Sequence, residues 1–213
     1  MNFVAIGTSG VGKSSLLATL LQGIAAKDRA EARIVLIDER RAHLGTVDLS
    51  MLAAYSATFA ATEKAVRDTA TTLKARLPGP DVTPSELAAR SWWTGPDIYV
   101  VIDDLDVVSE MALAPLVELL PHARDIGLHI VVARKAGGIG RALFGQFLSN
   151  LRDTQPSVFV MDSPRDEGAM FGIKPAMQPV GGGQLGIGGQ LVGLCQAAVP
   201  NVYEVEEETG NEG

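Results

Sequence analysis

The chain has little of what specialised sites are usually built from. Its 213 residues include one cysteine, Cys195, and three histidines, His43, His122 and His129, with no Cys/His cluster at zinc spacing. An internal disulfide is excluded, and a reducing cytoplasm fits. No apolar run approaches the roughly 20 residues needed to cross a bilayer, and no basic segment followed by a cleavage site opens the sequence. Direct membrane insertion is therefore not expected. Positive charge is also scarce: 18 Lys and Arg against 25 Asp and Glu leave a formal net charge of −7. Such a field repels polyphosphate backbones, so no nucleic acid partner is expected. Internal repeats, an Asn-Lys-x-Asp guanine signature and an arginine-dense lid are all missing, which argues against a small GTPase or a nucleotide kinase.

What remains is the balance of a globular domain, 46% apolar and 20% charged. Residues 1–200 read as one domain and 201–213, with the run Glu204-Val205-Glu206-Glu207-Glu208, as a mobile acidic tail. The core run Phe3-Val4-Ala5-Ile6 follows Met1 and Asn2 directly, which suggests a domain cut from a longer polypeptide. Apolar strand-like runs (3–6, 34–37, 98–102, 129–133, 157–161, and a weaker one near 52–56) alternate with helical stretches. That alternation predicts an α/β domain on a mainly parallel sheet with helices on both faces. Helices are expected over about 12–26, 60–77 and 141–152, with a helical region over 115–126 broken near Pro121. Thr83-Pro84-Ser85-Glu86 carries the signature of a capping box. Gly188-Gly189 between two apolar runs predicts a C-terminal β-hairpin.

Gly7-Thr8-Ser9-Gly10-Val11-Gly12-Lys13-Ser14 satisfies G-x-x-x-x-G-K-[ST] between a predicted strand and a predicted helix, the context such a loop requires. Glycines at these spacings let backbone N–H groups wrap phosphates, and the helix opening at Gly12 adds the positive end of its dipole. ATP is therefore the expected ligand, held by Gly7, Ser9, Gly10, Val11, Gly12, Lys13, Ser14 and Ser15. Lys13 is assigned to the β- and γ-phosphates, and the Ser14 hydroxyl to Mg²⁺. Asp103 ends an apolar strand, where a Walker B carboxylate orients the Mg²⁺. Asp104 stands where hydrolysing relatives usually carry glutamate. It is the candidate catalytic acid, with a solvated loop acid as the alternative. A carboxylate displaced by about 1 Å can cost on the order of 100-fold in rate, so hydrolysis is expected to be slow. Arg134 and Lys135 read as γ-phosphate sensors or as loop cations, and Gly137 to Gly140 as a flexible connector. Trp92 and Trp93 read as core or interface anchors or as a binding platform.

Five strings together resemble the EccC ATPases of type VII (ESX) secretion, and within them the last FtsK/SpoIIIE-like domain. They are Arg76 to Thr83, Arg90-Ser91-Trp92-Trp93-Thr94-Gly95-Pro96, Val101-Ile102-Asp103-Asp104, Leu119-Leu120-Pro121 and Asp125 to His129. The resemblance implies a RecA-like fold, ATP binding, and a cytoplasmic place at the inner membrane within the rest of a secretion complex. It also implies two kinds of partner: other ATPase domains of the same motor, in a ring that can be hexameric, and the C-terminal tail of a WXG100-type substrate. The sequence departs from active motors of this class at Asp104, and at Pro156, which aligns near the place of an arginine finger. Two functions stay open: a nucleotide-binding receptor with slow hydrolysis, and a motor ATPase completed by a neighbouring domain.

Overall fold

Apolar residues at successive positions of the strand runs can be buried only if both faces of a sheet are covered. The computed structural model, which describes residues 2–200, meets that condition with one eight-stranded sheet of order β3-β2-β4-β5-β1-β6-β7-β8. The strands are β1 (Phe3–Gly7), β2 (Ala32–Ile37), β3 (Leu52–Ser56), β4 (Asp97–Ile102), β5 (Leu128–Lys135), β6 (Ser157–Met161), β7 (Gly182–Ile187) and β8 (Gln190–Gln196). The first six run parallel, whereas β7 and β8 form an antiparallel hairpin on the β6 side. Gly188 and Gly189 form its turn, as the sequence predicts. The expected acidic tail, 201–213, lies outside the described residues.

The helices are α1 (Lys13–Ala25), α2 (Phe59–Lys74), α3 (Pro84–Ala89), α4 (Glu110–Val117), α5 (Ile139–Ala142) and α6 (Gln146–Asp153). One core cluster joins Val4, Ile6, Val100, Ile102 and Val132 to α2, α4 and α6 through Val66, Leu73, Leu113, Leu116 and Phe147. On the other face Ala5, Ile34, Leu36, Val101 and Phe159 meet Leu16, Leu17, Leu21 and Ile24 of α1. The same strands thus feed two separate cores by period-two alternation, and the sheet is held from both sides. No helix of the described residues is long and apolar enough to cross a membrane.

Three helix expectations need correction. The stretch read as 60–77 is α-helical to Lys74 and then tightens, with Arg76 N–H bonded to Leu73 O at 3.0 Å and Leu77 N–H to Lys74 O at 3.2 Å. The Arg76 guanidinium donates to Ile126 O at 3.1 Å and lies 4.3 Å from the centre of the Trp93 ring. The region read as 115–126 starts earlier, at Glu110, and carries Pro115 inside the helix. Proline lacks the N–H that would continue the ladder, and α4 ends two residues later; Leu120–His122 forms a separate 3₁₀ turn. The single helix read as 141–152 is two, α5 and α6. Gly145 between them is extended, and a Cβ there would lie 2.0 Å from a Glu110 oxygen, so the backbone must pass close beside α4. The Thr83 capping box forms as read, with Glu86 returning to the Thr83 N–H at 2.8 Å.

Trp92 and Trp93 are seated by their indole N–H groups. Trp92 donates to Arg76 O at 2.7 Å and Trp93 to Asp125 O at 2.8 Å. Gly127, at φ +69°, passes directly beneath: a Cβ there would fall 2.7 Å from the Trp93 ring and 2.5 Å from Asp97 Oδ1. Gly127→Ala is expected to destabilise the domain by about 2 kcal/mol, from left-handed strain and overpacking together. Urea unfolding checks this; an unchanged midpoint would show that the tryptophan seat yields freely.

Candidate functional site

Parallel strands aim their C-terminal ends at one edge of the sheet, and that edge collects the chemistry. β1 ends at Gly7, and the chain passes through a loop into α1, with Gly12 as the cap at φ +99°. An L side chain at that angle is strained, so this position explains its glycine. The loop is pinned from outside by Thr8 N–H to Asp162 O and by Gly181 N–H to Val11 O, both 2.9 Å. Val11 itself is buried in the α1-side core. Ser9, Gly10, Gly12, Lys13, Ser14 and Ser15 line a cleft of about 360 Å³. Arg40, Asp104 and Lys135 line the same cleft.

Lys13 is buried, and its ammonium donates to the carbonyls of Gly7 at 3.1 Å and Thr8 at 2.7 Å. Burial pushes its pKa below the ordinary value, against the attraction of Asp104, Asp103 and Asp106. A buried cation satisfied by neutral carbonyls at the mouth of a helix N-terminus is a strong anion receptor.

β4 lies two places from β1, with β5 between them. Its end places Asp103 so that Ser14 Oγ donates to Oδ2 at 2.9 Å. The ring Nε2–H of His43 donates to the same oxygen at 3.0 Å, and the Asp104 N–H donates to Oδ1 at 2.9 Å. Burial alone would raise the Asp103 pKa. The hydrogen bonds from His43 and Ser14, the electrostatic influence of the His43 ring and the Asp104 N–H outweigh it and hold the carboxyl below its ordinary range. Ser14 and Asp103 therefore offer oxygen donors of the kind a hard divalent cation takes beside phosphate oxygens. These residues fit a Mg²⁺–nucleotide.

Asp104 stands in the same cleft at φ +49°, a rare angle for a residue with a side chain, and pairs with the Arg40 guanidinium. Arg134 is engaged elsewhere: it donates to Asp106 at 2.8 Å, and Asp106 also accepts the Lys135 N–H at 2.8 Å. Of the two basic residues read as sensors or loop cations, Lys135 alone lines the cleft. Pro156 precedes β6 at the opposite end of the sheet from the phosphate loop, given that Phe3 pairs with Ser157.

Three residues of this site carried no motif: Asp38, Arg40 and His43, all in the loop after β2. Asp38 is fully buried and accepts the N–H groups of Ala42 at 2.9 Å and His43 at 2.8 Å. It thereby folds 38–43 into a turn that sends His43 inward to Asp103. His43 Nδ1 is buried and has no hydrogen-bond partner among the described residues. The available signal was positional: Asp38 closes a buried parallel strand, on the edge where strands 1 and 4 end.

No family model matches the chain. It is 40% identical over 186 residues to the ESX secretion system protein EccC of Thermomonospora curvata, covering 85% of the chain. It is also 40% identical over 202 residues to the ESX-4 secretion system protein EccC4 of Mycobacterium tuberculosis, covering 92% of the chain. The chain spans 14% and 16% of those two relatives. A solved structure of Thermomonospora curvata EccC (ATPases 2 and 3), in complex with a signal sequence peptide, superposes with a TM-score of 0.87. Its identity is 37%, over 94% of this chain and 37% of that one. Sequence identity and superposition agree, and the chain belongs to the EccC-type ATPase domains of ESX, or type VII, secretion systems.

Proposed function

We propose that this domain binds ATP with Mg²⁺ in the cleft between the phosphate loop and Asp103, hydrolyses it slowly, and serves a type VII secretion motor as receptor for the C-terminal signal of a WXG100-type substrate. The observation that carries the nucleotide reading is the 2.9 Å hydrogen bond from Ser14 to the buried Asp103, with the Lys13 ammonium set against carbonyls of the same loop. In this reading Lys13 and the loop N–H groups hold the polyphosphate, and Ser14 and Asp103 hold the metal. The bound Mg²⁺ would neutralise charge developing between the β- and γ-phosphates. His43 keeps Asp103 aimed and ionised.

Slow turnover rests on Asp104. Its carboxylate is one methylene shorter than glutamate, and it is engaged by Arg40. That Asp104 nonetheless lines the cleft with Lys13 and Ser14 favours a second reading, in which a neighbouring ATPase domain in a ring completes the site and turnover appears only in the assembly. Phosphate release from the domain alone and from the assembled motor separates the two. The receptor role is supported by the likeness to a relative solved with a signal sequence peptide. Placement at the cytoplasmic face of the inner membrane, through the rest of the complex, belongs to the same proposal.

Lys13→Ala is expected to lower ATP affinity by at least about 100-fold while leaving the domain folded, because a charge-assisted contact to phosphate is lost from a loop. Calorimetric titration with a thermal melt checks it, and undiminished affinity would dispose of the phosphate-loop assignment. Asp104→Glu is expected to raise the rate of phosphate release by about tenfold, as the longer side chain regains reach toward the attacking water. No gain in either the isolated domain or the assembly would place the limit on turnover elsewhere. Synthetic C-terminal tails of substrates encoded beside the gene are expected to bind at roughly micromolar Kd, the strength of a small helical contact. Tails that fail to bind at high micromolar concentration, with and without ATP, would remove the receptor role and leave the motor-subunit reading.

A further inference from the structure

Of the residues lining the cleft beside the phosphate loop, Arg40 is supplied from outside both nucleotide motifs. Its position is set by the turn after β2. The Asp38 carbonyl accepts the Arg41 N–H at 3.0 Å, while the Asp38 side chain accepts the next two backbone N–H groups. Arg41 turns at φ +57°, and His43 anchors the far end of the turn on Asp103. A half-exposed arginine is thus carried on a backbone that buried hydrogen bonds fix at both ends.

In this arrangement Arg40 pairs with Asp104, whose own backbone is tied to Asp103. The Arg40 side chain is 53% exposed and that of Asp104 14%. An ion pair with one partner so open to water is weak and is easily exchanged for a better one. A polyphosphate is a better one: it brings several negative charges against one, and oxygen pairs that match the planar guanidinium fork.

We propose that Arg40 is a phosphate ligand of the nucleotide site, and that it exchanges the Asp104 carboxylate for phosphate oxygens when ATP enters. The exchange has two effects. The nucleotide gains a further cation beside Lys13 and Lys135, supplied by the turn after β2. Asp104 loses its counter-ion at the same moment and becomes available to a water molecule, which links the availability of the short acid to the presence of the nucleotide. This inference rests on the nucleotide-binding reading above.

The test is calorimetric titration of the 213-residue chain with Mg²⁺–ATP, in the wild type and in R40Q, D104N, the R40Q/D104N double variant and K13A, each checked for a cooperative melt. R40Q is expected to weaken ATP binding by about tenfold, the scale of one charge-assisted phosphate contact at a partly exposed site. D104N is expected to tighten it several-fold by removing the competitor for Arg40, and that gain should shrink in the R40Q background. If K13A loses ATP but R40Q binds within twofold of the wild type, the role of Arg40 is overturned and the nucleotide site stands. An equal gain from D104N in both backgrounds overturns the exchange. If the wild type binds no ATP, or K13A binds as well as the wild type, the nucleotide reading itself falls and takes this inference with it.

Discussion

The contact between Ser14 and Asp103 is possible only because a strand intervenes. β1 delivers the phosphate loop and β4 the carboxylate, and β5 between them sets how far apart their ends lie. Register sets the offset of those ends: Gly7 is opposite Lys135, whereas Ile102 is opposite Val132, earlier along β5. A shift of one residue in either pairing would turn the side chains of a strand to the wrong face. The two apolar clusters therefore have a task beyond stability, since by fixing register on both faces they fix the geometry of the cleft.

Charges gathered at this edge are each given a partner, but of graded quality. Asp38 and Asp103 are buried and satisfied several times over, by backbone N–H groups, Ser14 and His43. Asp106 and Arg134 form a half-sheltered pair below the cleft. Lys13 has only neutral carbonyls, and Arg40 only a pair open to water. The groups meant to stay are tied down, and those facing the ligand are left with partners they can give up. On the nucleotide-binding proposal, preorganisation of this kind would keep the cost of binding low, because Lys13 and Arg40 are the groups that would change partners.

The strands and the phosphate loop were legible because their signals are local. An apolar run such as Ile98 to Ile102 has few alternatives to a buried parallel strand, and G-x-x-x-x-G-K-[ST] between strand and helix needs no distant partner to be read. Helix ends were read less well where tertiary contacts adjoin them. After Lys74 the chain tightens, with Arg76 N–H bonded to Leu73 O, while the Arg76 side chain is held by Trp93 and Ile126. Gly145 is extended between α5 and α6, beside the Glu110 carboxylate. The helical region read as 115–126 opens earlier, at Glu110, and carries Pro115 inside it. The loop after β2 was illegible for a related reason. Asp38, Arg40 and His43 form no spacing pattern, and their roles exist only once β2 and β4 lie side by side and Asp103 and Asp104 come within reach.

The tryptophan seat bears on how the protein can be observed. Both tryptophans of the chain, Trp92 and Trp93, are fixed just before β4, at the end of the sheet opposite the cleft. Their environment is set by Arg76, Asp125 and Gly127, none of which reaches the phosphate loop. Intrinsic emission at the indole wavelengths will therefore follow loss of tertiary packing with good sensitivity, because unfolding breaks both indole N–H bonds and the stacking on Arg76. It will be nearly silent to nucleotide, and an optical signal for occupancy must come from a labelled ligand or from a fluorophore placed near the turn after β2.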